Sequence, residues 1–312
     1  MTGSTDGSAE DGRPPLEEGP FPVEPVQHGG ALRKKLPPGL HLVATPIGAA
    51  RDITLRALDI LASADVLAAE DTRTLRHLME IHGIPVEGRP MVPCHDHNER
   101  EATPRLLRAI ADGKSVAYAS EAGTPLVSDP GFQLARAAIA EGLTVLAAPG
   151  PSAVLCALTV AGLPSDRFLF AGFPPNAQAA RRKFLEELRD IPATLVLYES
   201  PKRVNQSLED MSRVFGPLRY AAVCRELTKR FEEVTRGTLA DLAAQFAGRD
   251  VKGEIVLVVD RAPDAVADAE TVDAALERAL QTMSVKDAAA MVAEAFGLAK
   301  RDVYQLALKR SD

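Results

Sequence analysis

From residue 40 onward, short apolar runs alternate with stretches in which apolar positions recur every three or four residues. The runs have the pattern of buried strands and the stretches that of amphipathic helices. Strands are predicted at 40–45, 65–69, 115–119 and 143–147, helices begin at Asp52, Thr72, Glu101 and Phe132, and a loop runs through 93–98. This βα rhythm implies a mostly parallel sheet. Pro149-Gly150-Pro151-Ser152 then breaks the chain, and Ser152 suits the N-cap of an apolar helix reaching about Val160. A second unit follows, with strands at 167–171, 193–198, 219–225, 230–236 and 254–259 and helices at 178–189, 201–214 and 238–247. Two of these strands follow one another without a helix between them, which predicts an antiparallel pair in a mixed sheet.

The pattern changes at both ends of the chain. Residues 1–38 are rich in Gly, Pro, Ser and Glu without apolar periodicity, the composition of a disordered tail. After Asp260 a linker rich in Ala, Asp and Pro leads to two short helices, 285–296 and 300–310, separated by Gly297, with Ser284 and Asp287 as a capping pair. They fit either a helix-turn-helix or a small helical hairpin. The expected fold is therefore two α/β domains, 39–155 and 156–262, with a cleft between them, and a small helical domain, 263–312. A length of 312 residues accommodates this division at about 150 residues per domain.

Composition narrows the function classes. The most apolar run, 153–163, is far short of the roughly 20 residues of a membrane span, so no membrane partner and a cytoplasmic location are expected. Cys94, Cys156 and Cys224 are widely spaced, which argues against a disulfide framework or a zinc knuckle. The net charge of −7 includes −2 from residues 1–38 and −3 from residues 263–312, leaving about −2 over the middle. Basic clusters there, Arg181-Arg182-Lys183, Lys202-Arg203 and Lys229-Arg230, are candidate contacts for phosphate.

Polar residues collect at strand ends. The strand at 115–119 runs into Ser120-Glu121-Ala122-Gly123-Thr124-Pro125 and then Ser128-Asp129-Pro130-Gly131 before the next helix. Ligands of open α/β sheets bind at the C-terminal ends of strands, Gly123 permits close backbone approach, and Glu121 and Thr124 can hydrogen-bond a small polar molecule. Thr45-Pro46-Ile47-Gly48 and Glu70-Asp71-Thr72-Arg73 end two further strands on the same edge. One of Asp71 and Thr72 serves as a helix cap; the remaining polar residues exceed what a cap requires. Cys94-His95-Asp96-His97-Asn98 contains metal-ligand types, but no complementary pair is evident elsewhere, and a polar loop at the cleft mouth is the better reading. Tyr198-Glu199-Ser200-Pro201 ends a strand of the second unit, and Gly253, before the last strand, would let a ligand approach.

Taken in order, TPIG (45–48), DITLRAL (52–58), AEDTR (69–73), SEAGTPLVSDPG (120–131), PGPSA (149–153), GLPSDRFLFAGFPP (162–175), YESPKR (198–203), RELTKRFEEVTRGT (225–238) and KGE (252–254) resemble the ribosomal RNA small subunit methyltransferase I family, of the tetrapyrrole-methylase-like superfamily. The resemblance runs from about residue 40 to 259 and extends to the C-terminal helices. It implies a two-domain α/β fold, not of Rossmann type, with S-adenosyl-L-methionine in the cleft. It further implies methylation of a cytidine ribose 2′-hydroxyl in the decoding region of 16S rRNA, with the small ribosomal subunit as partner, and a homodimer. By position, the cofactor would contact Pro46, Ser120, Glu121, Ala122, Gly123, Thr124, Ser152, Ala153, Tyr198, Glu199, Gly253 and Glu254. Ala49 stands where the family pattern has Asn, and Glu121, where it has Asp, carries its carboxylate one methylene further out.

No metal is required for methyl transfer from a sulfonium. Asp71 or His95 is the expected acceptor of the hydroxyl proton, with Arg73 and Asn98 positioning ribose and phosphate. Arg181, Arg182, Lys183 and Arg203 are expected at an RNA-binding rim. A tetrapyrrole C-methyltransferase is an alternative, weakened by the absence of a GPG-type first loop where TPIGAARD stands. A nucleic-acid-binding regulator that senses a small ligand through the cleft is another.

Overall fold

The structure, a computed structural model, describes residues 33–262 and 269–311. Most of the expected tail therefore lies outside the described residues, as does part of the linker after Asp260. Residues 33–38 are not a free tail: Lys34 N donates to Ser63 Oγ (3.0 Å), and Leu36 packs on the first core.

The first sheet contains β1 (Gly39–Val43), β2 (Val66–Ala69), β3 (Met91–Pro93), β4 (Ser115–Ala119) and β5 (Val145–Ala148) in the order β3-β2-β4-β1-β5, all parallel. Helices cover both faces. Residues of α1 (Leu55–Ser63) and α2 (Thr72–Ile81) share one core cluster with the sheet, and those of α3 (Glu99–Ala111) and α4 (Phe132–Ala140) share another. Burial on both faces is why central β4 is buried at every residue and reads as a continuous apolar run. Helix α1 starts at Leu55 rather than Asp52, because Thr54 caps it (Ala57 N to Thr54 Oγ1, 3.1 Å) and residues 50–52 form a separate 3-10 turn. Strand β3 went unforeseen; it has three residues and ends in a proline at the sheet edge, where no ladder donor is needed.

The second sheet is mixed, as expected. It orders β6 (Phe168–Phe170), β7 (Thr194–Glu199), β10 (Ile255–Val259), β8 (Tyr220–Arg225) and β9 (Glu233–Thr238) side by side. Only β6 and β7 pair in parallel. Strand β9 starts three residues later than its sequence pattern suggests, because residues 226–232 form the turn joining it to β8. Helices α6 (Gln178–Leu188), α7 (Val204–Phe215) and α8 (Leu239–Phe246) pack on one face. The other face is covered by α5 (Ala153–Ala161), whose Val154, Ala157, Leu158 and Ala161 meet Val196, Ala222 and Val258, with Ile47 reaching in from the first unit. A domain boundary between residues 155 and 156 would cut α5; by packing, the whole helix goes with the second sheet.

Three C-terminal helices, α9 (Ala269–Leu280), α10 (Val285–Phe296) and α11 (Lys300–Ser311), enclose a core of their own around Leu276, Val292 and Val303. The sequence pattern pointed to only two. The expected cap at Ser284 is present, with Asp287 N bonded to its hydroxyl at 3.2 Å.

Candidate active site

Parallel pairing places the C-terminal ends of β1, β2 and β4 on one edge, and the register levels them: Val43 and Ala69 both sit opposite Ala119. The three polar turns beyond these residues consequently face the same space. The β1 and β4 turns are tied together by a short antiparallel bridge, Thr45 N to Gly123 O (2.9 Å) and Gly123 N to Thr45 O (3.0 Å). Ser120 is buried and its hydroxyl is spent on Gly123 O (2.5 Å), while Thr45 Oγ1 donates to Ser120 O (3.1 Å). Thr124 Oγ1 donates to Pro151 O (3.0 Å), attaching the loop to the segment before α5. Gly123 adopts φ +86°, and a Cβ there would come within 3.3 Å of Ile47 Cγ2. Leu126 (φ +69°) and Ser128 (φ +60°) also hold left-handed conformations in this loop. Such strain in residues that have a side chain is typical of binding loops.

Between this edge and the second sheet lies a cavity of about 520 Å³. The first unit contributes Ile47, Glu70, Glu121, Ala122 and Asp129; the second contributes Phe173, Tyr198, Glu199, Gly253 and Glu254. A smaller recess of about 50 Å³, sharing Ile47, Ala122, Asp129, Ala153 and Tyr198, is also lined by Gly123, Thr124 and Ser152. The structure thus brings ten of the twelve cofactor-contact candidates to one place. The other two differ: Ser120 is turned into the loop's own hydrogen bonds, and Ile47 rather than Pro46 lines the cavity. Ser152 occupies the N-cap position of α5, but its hydroxyl makes no capping bond. Gly253 does not simply open space for a ligand, because a Cβ there would lie 2.3 Å from the carboxyl carbon of Glu226.

Carboxylates dominate the cavity wall. Asp129 has a buried Oδ2 without a hydrogen-bond partner, and burial, reinforced by Glu70, Glu121 and Asp96, pushes its pKa up to about 7. Burial raises Glu70 as well, with Glu121 and Asp96 adding to it. Tyr198, edge-on to Phe170 (4.8 Å) and Phe173 (5.4 Å), is pushed up to about 12 by burial and then by Asp129 and Glu254. Unpaired, partly desolvated acids beside apolar and aromatic walls suit a cationic ligand with a flat ring. Neither Glu70 nor Asp129 was singled out for a role in the sequence, although both stand in quoted motifs.

The expected catalytic residues occupy other positions. Asp71 caps α2 through Arg73 N (2.7 Å) and grips the Arg73 guanidinium (Nη2 to Oδ2, 2.7 Å), which holds its carboxyl down at about 2. An acid that weakly basic makes a poor proton acceptor, and it is Glu70 that lines the cavity. Asn98 is used within its turn, accepting from His95 N (2.8 Å) and donating to Pro93 O (3.1 Å). His95 retains a buried Nδ1 without a partner, next to this edge.

The anticipated basic rim also changes. Arg181 is buried (1% exposed) against Asp210 (2.7 Å) and Asn176 O (3.0 Å), so it is part of the core and not of a surface. Arg182 pairs with the same Asp210 at 2.7 Å. Arg203 is the counter-ion of buried Glu199 (2.6 Å), whose carboxylate also accepts from the Ser207 hydroxyl and Ser200 N. Of the four, Lys183 alone is exposed.

Comparison with known proteins adds an independent line. The family model described as Tetrapyrrole (Corrin/Porphyrin) Methylases matches residues 39–243, and one described as RsmI C-terminal HTH domain matches residues 265–311. A protein of Mesorhizobium japonicum called ribosomal RNA small subunit methyltransferase I is 47% identical, over 89% of this chain and 94% of its own. Proteins of the same name from Pseudomonas aeruginosa and Escherichia coli O157:H7 are 43% and 40% identical, each over 87% of this chain. Among solved structures, the methyltransferase CobJ (TM-score 0.56, 20% identity, 72% of this chain and 94% of that one) and a diphthine synthase (0.55, 19%, 71% and 89%) share the fold.

Proposed function

Because the chain belongs to the tetrapyrrole methylase family and, within it, to the ribosomal RNA small subunit methyltransferase I group, we propose that it methylates 16S rRNA of the small ribosomal subunit using S-adenosyl-L-methionine. The acceptor in this reading is a cytidine ribose 2′-hydroxyl in the decoding region. The observation that carries it is the convergence of turns from both sheets on one cavity with unpaired acids and an aromatic wall.

The residues present fit the cofactor. Glu70 and Glu121 offer counter-charge to a molecule bearing a sulfonium and an ammonium, Gly123 gives backbone access, and Ile47, Tyr198 and Val256 supply apolar surface for the adenine. When bound, the cofactor supplies an electrophilic methyl group. The protein's own contribution is orientation, which can lower the barrier by several kcal/mol, and a site for the proton that the hydroxyl gives up. Asp129 is the residue that takes that proton in this reading: it lines the cavity, its Oδ2 lacks a hydrogen-bond partner, and its pKa is pushed up to about 7. Of the two acceptors expected from the sequence, Asp71 is held by Arg73 and is not free for this role, and His95 is absent from the residues that line the cavity.

A target ribose within folded RNA must be unpaired or splayed out to reach the cleft, and Lys183, Lys202 and Arg230, all exposed, are suited to hold the flanking backbone. Two chains are proposed to associate through the apolar side chains exposed on edge strands β5 (Leu146) and β6 (Phe168, Leu169). The described residues contain no helix long and apolar enough to cross a membrane, and action on ribosomal subunits supports a cytoplasmic location in this reading.

The test is transfer of labelled methyl to small subunits from a strain lacking this protein, with the product nucleotide mapped by mass spectrometry. Label on a 2′-O-methylcytidine of the decoding region is expected. Label on a base, on another RNA or on no RNA at all refutes the reading.

A further inference from the structure

Next to the cofactor cavity lies a second depression of about 680 Å³, between the N-terminal turns of α3 and α4. Its wall includes Asp96, Arg100, Thr103, Phe132 and Gln133, and it meets the first cavity at Asp129, which lines both. Phe132 is 55% exposed on the first turn of α4. The groove is held in shape from below: buried Glu99 of α3 accepts from Leu134 N (2.9 Å) and so caps α4, where Gly131 offers no side chain. Among the described residues Arg100 makes no ion pair and Phe132 no ring contact.

We propose that this groove docks the unpaired nucleoside carrying the acceptor hydroxyl, its base against Phe132 and its ribose at Asp129. The inference rests on the reading that the chain methylates RNA. Three features select a nucleoside over other occupants. An exposed phenylalanine ring is a stacking platform for any base. The acceptors Asp96 and Asp129 repel phosphate but match the donors of a nucleoside, its ribose hydroxyls and, for cytosine, an exocyclic amine that carboxylates accept from. Arg100 at the edge supplies the cation for a flanking phosphate, which would stay outside the groove. Continuity at Asp129 then places the ribose, and not the base, nearest the cofactor.

The test replaces Phe132 with the photoreactive p-benzoylphenylalanine in the full chain and irradiates it with small subunits. A crosslink on the methylated nucleotide or its immediate neighbour is expected. In parallel, Phe132→Ala should raise KM for subunits on the order of 5- to 100-fold, leave calorimetric affinity for S-adenosylmethionine unchanged, and be rescued by Phe132→Trp. Because the side chain is more than half exposed, Phe132→Ala should fold normally. Crosslinks only to distant nucleotides, or a wild-type KM in Phe132→Ala, overturn the docking site while leaving the enzyme's function intact. A wild-type protein that transfers no methyl to subunits overturns the underlying reading, and this site with it.

Discussion

Two groups of acids, one buried in the second unit and one half-buried at the edge of the first sheet, are treated in opposite ways. In the second unit Asp210 is enclosed by Arg181 and Arg182, and Glu199 by Arg203 and a serine hydroxyl. At the edge of the first sheet, Glu70 and Asp129 are desolvated with other carboxylates for neighbours, and their pKa values rise. Paired charges hold the β7 turn and the α6–α7 contact rigid. Unpaired ones raise the energy of the empty fold and reserve hydrogen-bonding capacity for a ligand, which is where perturbed carboxylates acquire a chemical use.

If that contrast is real, mutations on the two sides should separate activity from stability. The largest effect is expected at Asp129: Asp129→Asn should lower methyl transfer by roughly 10²- to 10⁴-fold, with folding retained and cofactor affinity close to wild type, measured by single-turnover kinetics and calorimetry. Next, Arg181→Ala leaves Asp210 in the core with only Arg182 and a long hydrogen bond from Gln178, and should cost about 3–5 kcal/mol in urea unfolding, with little change in the pH dependence of transfer by the folded fraction.

A third prediction concerns stability against pH. The folded-state pKa of Asp129, about 7, is above its ordinary value of 3.8, so its contribution to stability is full below 3.8 and is lost as pH rises through 7. Glu233, held down to about 2 by Arg249 and Arg225, behaves oppositely: its stabilisation is present above 4.5 and lost as pH falls toward 2. Asp129→Asn should therefore be more stable than wild type above pH 7, by on the order of 1 kcal/mol once solvent screening is allowed for, and thermal melts between pH 4 and 8 would reveal it. Equal slopes for variant and wild type would contradict this. The smallest effect is at exposed Lys183: Lys183→Glu should weaken rRNA binding and reduce the salt slope by about one.

How far the sequence led follows the same division. The turns containing Gly123 and Thr124 were legible because glycine, proline and hydroxyl residues after an apolar strand have few structural explanations. Parallel pairing then had to bring the strand ends together. The roles of the arginines were not legible: Arg181 is a surface candidate by composition and becomes a core residue only because Asp210, 29 positions away, faces it across α6 and α7. Asp71 was over-read for a related reason, since its carboxylate is satisfied two residues on, by Arg73. The role of Asp129 is hidden inside a motif that reads as a turn, because its raised pKa depends on burial in the fold and on the charges of Glu70, Glu121 and Asp96. Helix α9 follows an Ala- and Asp-rich linker that conceals its start, and its apolar face is explained only by α10 and α11.

The most direct test of the central claim, that an unpaired cleft acid takes the proton of the acceptor, is the pH profile of single-turnover methyl transfer for wild type and Asp129→Asn at saturating cofactor. The wild-type rate should rise with pH and level off above an inflection set by Asp129 in the cofactor complex, and the residual rate of the variant should lack that inflection. Superimposable profiles of equal amplitude would show that Asp129 carries no proton in the reaction.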